Sequence, residues 1–240
     1  PMLSEAGHAV RGFDAALFRD CAFRPVPTDI ETARVDIRDI EPGHLADADA
    51  VVHLAALSND PLGDLDPAVT HAINHHAAVR VAECAKAAGV RRVIAASTCS
   101  VYGSAGHDWV DETTPPNPVP PYAASKAAME LGVAAAAGVQ VAADIADALS
   151  GADIPARVEH AAGSGTDPRS YRVRFDAMRT ALPILHIRER IGPAALEIAR
   201  ALVESPADTS AFEGPQISRV AHLRALLADG KLASDLRNRD

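Results

Sequence analysis

The chain has 240 residues, 48% hydrophobic and 23% charged, which supplies a buried core and excludes a disordered polypeptide. Its 23 Lys and Arg against 32 Asp and Glu give a formal charge of -9. No basic tract of the kind that grips a phosphate backbone is present, so nucleic acid is not an expected partner. The 3 cysteines, Cys21, Cys84 and Cys99, have no CxxC spacing and point to a reducing compartment rather than a disulfide framework. No run approaches the roughly 20 apolar residues of a membrane span, and the opening PMLSEAGHAV has neither the basic nor the apolar region of an export signal. The expected address is the cytoplasm, with no membrane partner.

In chain order, HAVRGFD (8–14) reads as a strand ending in Asp14, and TARVDI (32–37) as a second strand ending at Asp36. ADAVVHLAALS (48–58) carries a continuous apolar run, the pattern of a strand covered on both faces. Residues 67–89 read as a helix, with Pro67 in its first turn and Gly89 at its C-terminal end. VRRVIAAS (90–97) is the next strand, residues 115–121 form a proline-rich loop, and a helix follows over 122–137. Alternating strands and helices predict an α/β fold, a doubly wound parallel sheet whose ligands sit beyond the carboxyl ends of the strands. Asp14, Asp36, Ala55, Ala56, Ser97 and Thr98 all fall at that rim. The texture changes after Gly138, which divides the chain into a region 1–139 and a mixed, largely helical region 140–240.

The strongest chemical signal is STCSVYG (97–103) followed by YAASK (122–126). On a helix Tyr122 and Lys126, four residues apart, share a face. An ammonium beside a phenol favours the phenolate and makes tyrosine a usable base at neutral pH. Thr98 at the preceding strand end is positioned to hold a substrate hydroxyl while that base takes its proton. Lys126 is one of only 3 lysines in the chain, against 20 arginines. Other features read differently. Asp14 and Asp36 taken alone are equally well strand-ending turn formers. His75 and His76 diverge as helical neighbours and have no third ligand at suitable spacing, so no metal site is expected. Cys99 lacks a histidine partner for nucleophilic chemistry, and Arg169, Arg172 and Arg174 suit either a diphosphate or a solvated strand face.

Taken together, these motifs resemble the extended short-chain dehydrogenases/reductases, the NAD-dependent epimerases and dehydratases of nucleotide sugars. Tyr122 and Lys126 match that family's YxxxK pair, Thr98 its serine or threonine, and VYG (101–103) the tripeptide that follows. The resemblance implies a Rossmann-like sheet, NAD as cofactor and a nucleotide sugar as substrate. It assigns catalysis to Thr98, Tyr122 and Lys126, and cofactor binding to Asp14, Asp36, Ile37, Leu54, Ala55, Ala56, Asn74, Tyr122 and Lys126. Asp14 then favours NAD over NADP, since a carboxylate accepts from a free 2′-hydroxyl and repels a 2′-phosphate.

Two parts of the family pattern are missing from residues 1–240. The glycine-rich turn GxxGxxG and the first, central strand do not occur, and YAASKAAMELG runs within a few residues into VQVAADIADAL, which resembles a much later helix. The 4,6-dehydratases of the family follow the threonine with Asp-Glu, whereas this chain has Cys99–Ser100, so epimerisation or simple oxidoreduction is expected over dehydration. The family pairs through the helices 67–89 and 122–137, which implies a homodimer. The alternative is an inactive, shortened relative that works by association through those same helices.

Overall fold

The structure, a computed structural model, describes residues 2–21, 30–103, 109–111, 113–137, 172–173 and 218–239. A first short helix, α1 (Met2–Glu5), leads into β1 (Arg11–Asp14), which pairs in parallel with β2 (Glu31–Arg34). A second parallel pair is formed by β3 (Ala50–His53) and β4 (Arg92–Ala95), and a third, short one by β5 (Trp109–Val110) and β6 (Arg172–Val173). Among the described residues the first two pairs are separate two-stranded ladders. They share one core nonetheless. Phe13 of β1 and Val51 of β3 pack against the same buried cluster, which contains Ile40, Leu45, Val81 and Val93.

The helix expected over 67–89 forms, with an unforeseen interruption. Asp66 caps it by accepting from the backbone N–H groups of Ala68 and Val69, and Pro67 takes the first helical position, where no N–H is needed. Residues Pro67–His71 (α3) are α-helical, Ala72–Ala77 widen into a π-helical turn, and Ala78–Ala87 (α4) resume the α-helix. The end is closed at Gly89, whose φ of +76° suits glycine, by Val90 N–H donating to the Ala85 carbonyl. Just upstream lies α2 (Asp60–Gly63), capped by the Asn59 side chain on the Leu62 N–H.

The long helix α5 (Pro121–Ala137) packs along α4. Small residues make this possible: a Cβ on Gly132 would lie 2.5 Å from Val79 Cγ2. Ala78, Ala82, Ala95, Met129 and Val133 fill the layer between these helices and β4.

Two expectations are corrected. The strand read as ending at Asp36 stops at Arg34, because Asp36 instead caps a 3₁₀ turn over Ile37–Asp39. The β3–β4 pair is covered on one face among the described residues: Val93, His53 and Ala95 are buried, while Val52 is 46% exposed.

The described C-terminal residues join the N-terminal core. A last helix, α6 (Arg219–Ala228), is capped by Ser218 on the Ala221 N–H. Its Leu223, with Leu232 and Leu236 beyond it, packs with Leu57, Leu62, Val69 and Ile73. The texture change at 138–140, the VQVAADIADAL segment, Arg169 and Arg174 lie outside the described residues.

Candidate functional site

The ends of β3 and β4 and the first turns of α5 converge. Lys126, 3% exposed, donates from Nζ to the Ala96 carbonyl at 2.7 Å. Ala96 lies two residues before Thr98, so the lysine of the YxxxK pair is fixed to the strand end that carries the threonine. Thr98 is the N-cap of a 3₁₀ turn over Cys99–Tyr102, accepting from the Ser100 N–H at 3.2 Å. Acting there as acceptor, its hydroxyl keeps its proton to donate. Gly103 closes the turn at φ +61°, where a Cβ would overlap the Asn117 carbonyl oxygen, so only glycine fits the VYG corner. Tyr122, half-buried, starts α5 one turn before Lys126 and is packed against Gly63.

Asn74 holds the other side of the site. It lies in the π-helical turn and is fully buried. Its Oδ1 accepts from the Leu57 N–H at 2.8 Å, and its Nδ2 donates to the Leu57 carbonyl and to Ser125 Oγ, both at 3.1 Å. Ser125 in turn donates to the Tyr122 carbonyl at 2.7 Å. One asparagine therefore ties the loop after β3 to the turn of α5 that carries Tyr122 and Lys126. It does so through the protein, with no surface of its own. Along that loop Leu54 is 68% exposed, while Ala55 and Ala56 are half-buried and small.

Asp14 and Asp36 belong to the β1–β2 pair. The exposed Asp14 accepts from the Ala16 N–H at 2.6 Å, and its carbonyl accepts from the Val35 N–H. Asp36 is more heavily engaged: Arg38 donates to both its oxygens, from Nε at 3.0 and 3.1 Å and from Nη2 at 2.5 Å. Burial pushes the Asp36 carboxyl up, but the side-chain and backbone bonds from Arg38 outweigh it and leave the group below the usual carboxylate range. Ile37 packs against both large hydrophobic clusters.

Two groups, His53 and Glu130, take on a chemistry that the sequence did not assign them. His53, at the end of β3, is 6% exposed with its Nε2 unpartnered. Burial, and then the Lys126 charge, lower its pKa to about 4, so its ring is neutral at pH 7. Glu130 of α5 accepts a short hydrogen bond from Ser97 Oγ. Burial raises its pKa, while the Ser97 bond and Lys126 pull the other way. The signal for Glu130 was available, since it lies four residues after Lys126 on the same helical face.

As a unit the arrangement holds a buried ammonium, a phenol one turn away and a hydroxyl at the adjoining strand end. Such a set takes a proton from an alcohol and holds the resulting oxygen. Residues 1–150 match the family model described as the NAD dependent epimerase/dehydratase family. The chain is 38% identical over 105 residues to a UDP-glucose 4-epimerase of Mycolicibacterium smegmatis, covering 42% of this chain and 34% of that one. It is 40% identical over 100 residues to a dTDP-glucose 4,6-dehydratase of Streptomyces griseus, covering 41% and 30%. The matched segment thus spans about a third of these relatives. Among solved structures, the NAD dependent NDP-hexosamine 5,6-dehydratase TunA aligns with a TM-score of 0.53 at 27% identity, over 59% of this chain and 47% of that one. MoeE5, solved with UDP-glucose and NAD, aligns with a TM-score of 0.51 at 30% identity and the same coverage. The β–α order, the parallel pairs and the matched 150 residues agree: the chain belongs to the NAD dependent epimerase/dehydratase family.

Proposed function

We propose that the protein oxidises and reduces an alcohol carbon of a nucleotide sugar with NAD, as an epimerase or simple oxidoreductase rather than a 4,6-dehydratase. The observation that carries this reading is the Lys126 Nζ bond to the Ala96 carbonyl at 2.7 Å, because it joins the Tyr122 helix to the Thr98 strand end.

The residues fit the cofactor at its ribose ends. Asp14 offers an exposed carboxylate beyond β1, suited to accept from a ribose hydroxyl, and Lys126 offers an ammonium toward the nicotinamide ribose. Ala55 and Ala56 leave room along the strand-end loop, Leu54 offers an exposed apolar surface there, and Ile37 flanks Asp36 where the adenine would lie. Asn74 acts on this surface from behind, by fixing Leu57. NAD, when bound, supplies the hydride acceptor. Thr98 orients the substrate hydroxyl by a hydrogen bond, Tyr122 takes its proton, and the Lys126 charge favours the phenolate that Tyr122 needs for that step.

Cys99–Ser100 support the choice of reaction. The residues after Thr98 include no acid pair to eliminate water, and Cys99 is buried in the turn. The nucleotide-sugar substrate rests on the two sequence relatives and on MoeE5. Pairing with a second copy through α4 and α5 is supported by Leu131, 77% exposed on α5.

The reading is tested by incubating the chain with NAD and UDP-glucose or dTDP-glucose while following the reduced nicotinamide and the sugar product. Turnover is expected, and Tyr122→Phe should reduce it by about 100-fold or more. Equal turnover in Tyr122→Phe would overturn the assignment of the base.

A further inference from the structure

We propose that His222 and Asn238 are positioning residues of the cofactor site: from the C-terminal segment they hold the loop after β1 and so fix the Asp14 carboxylate, an inference that rests on the reading of Asp14 given above.

Asp14 ends β1, and its aim depends on the residues that follow it. Its Oδ1 accepts from the Ala16 N–H at 2.6 Å, and Ala16 has a φ of +58°. This left-handed conformation is unfavourable for an alanine and persists only where the surroundings enforce it. The carbonyls on either side of Ala16 are both held from far along the chain. The Ala15 carbonyl accepts from Asn238 Nδ2 at 3.1 Å, and the Leu17 carbonyl is bonded to His222 Nε2 at 3.0 Å, across 223 and 205 positions. A carbonyl only accepts, so His222 Nε2 carries the hydrogen and donates. Phe18 meets the same segment. The Arg219 guanidinium lies 5.2 Å from its ring centroid, and the His222 ring packs beside it at 6.0 Å.

A grip of this kind works only if the segment itself is fixed, and it is fixed from three sides. Leu223, Leu232 and Leu236 are buried in the cluster that also holds Leu57, Leu62, Val69 and Ile73, with Leu17 and Phe18 packed against it. Arg219 donates to Ser58 Oγ at 3.0 Å, which ties the start of α6 to the loop after β3. Arg38 donates to the Asp235 carbonyl at 2.7 Å, and Arg237 pairs with Asp39, which tie the last residues to the turn after β2. Asn238, although exposed, stands on a tight reversal of the chain. It bridges to Leu232 in antiparallel fashion, and the Arg239 N–H donates to the Lys231 carbonyl at 3.1 Å. One C-terminal segment therefore touches the loops after β1, β2 and β3, and its two donors fall on the loop that carries Asp14.

Calorimetric titration of the full chain with NAD, and with NAD lacking the adenosine 2′-hydroxyl, separates this role from general support of the fold. Asn238→Ala and His222→Phe should each weaken NAD by about 5-fold, the size of one loosened hydrogen bond to a carboxylate. Neither should change the affinity for the deoxy compound, which has no hydroxyl for Asp14 to accept from. His222→Gln, which keeps a side-chain N–H for the Leu17 carbonyl, should restore most of the NAD affinity. Undiminished NAD binding in Asn238→Ala, or equal weakening of both compounds, would overturn the proposal. Where His222→Phe does not fold, the surface substitution Asn238→Ala decides. Amide exchange at Ala16 should also quicken in Asn238→Ala while α4 and α5 stay protected, and unchanged exchange there would likewise overturn the proposal. A parent chain that takes up no NAD would defeat the functional reading of Asp14 and leave Ala16 exchange to decide whether these residues hold the loop.

Discussion

A Cβ on Gly63 would come within 2.9 Å of both the Cβ and the backbone nitrogen of Tyr122, so α2 meets the first turn of α5 on bare backbone. Gly63 sets how deeply Tyr122 sits. Gly63→Ala must push the helix start away, and overpacking of this kind costs about 1–3 kcal/mol. Denaturant unfolding should show that loss, and turnover should fall with it. Unchanged stability would mean that the contact relaxes freely.

Asn74→Ala is the second test. It strips partners from the buried Leu57 N–H and carbonyl together. Unsatisfied buried groups cost about 1–3 kcal/mol each, so a loss of about 2–4 kcal/mol is expected in chemical denaturation. Asn74→Asp keeps the acceptor for the Leu57 N–H but loses both donated bonds and adds a buried charge, so it should be no better tolerated. A loss below about 0.5 kcal/mol for Asn74→Ala would contradict this account of the loop.

His53 makes stability depend on pH in a defined direction. The unfolded imidazole takes a proton near 6.5, whereas the folded one takes it only near 4. The unfolded chain therefore binds more protons between those values, and stability falls as pH falls through that window. The contribution is complete above about pH 6.5, is lost by about pH 4, and amounts to about 3 kcal/mol. His53→Gln should flatten this part of the stability–pH curve. An equally steep curve in the variant would assign the slope to other groups.

Arg38 links the turn after β2 to the C-terminal residues. Besides gripping Asp36, it donates from Nη1 to the Asp235 carbonyl at 2.7 Å, and Arg237 pairs with Asp39 nearby. Arg38→Ala should speed hydrogen exchange across residues 218–239 and leave α4 and α5 protected. Equal protection of residues 218–239 in the variant would show that Leu223, Leu232 and Leu236 hold that segment alone.

Much of this was legible in the sequence because it depends on local chemistry. Pro67 and Gly89 bracketed a helix that forms, and the apolar runs around Val51 and Val93 marked strands that pair. The Lys126 position followed from its spacing to Tyr122. Less legible were features set by partners distant in sequence. The π-helical turn at Ala72–Ala77 places Asn74 between Leu57 and Ser125, residues 17 and 51 positions away. Asp36 read as a strand end because Val35 and Ile37 beside it are apolar, yet Arg38 draws its carboxylate into a cap. His53 looked like one more member of an apolar strand, and only burial beside Lys126 gives it a distinct chemistry. Val52 alternates with residues that pack on α4 and α5, but its own side is exposed, which a continuous apolar run does not reveal.

The central claim is that Asp14, the strand-end loop and the Tyr122–Lys126 helix form a binding surface for NAD that serves hydride transfer. Calorimetric titration of the 240-residue chain with NAD tests this most directly. The account predicts saturable binding that Asp14→Ala and Lys126→Met each weaken and that Tyr122→Phe retains. A folded chain that takes up no NAD would contradict it.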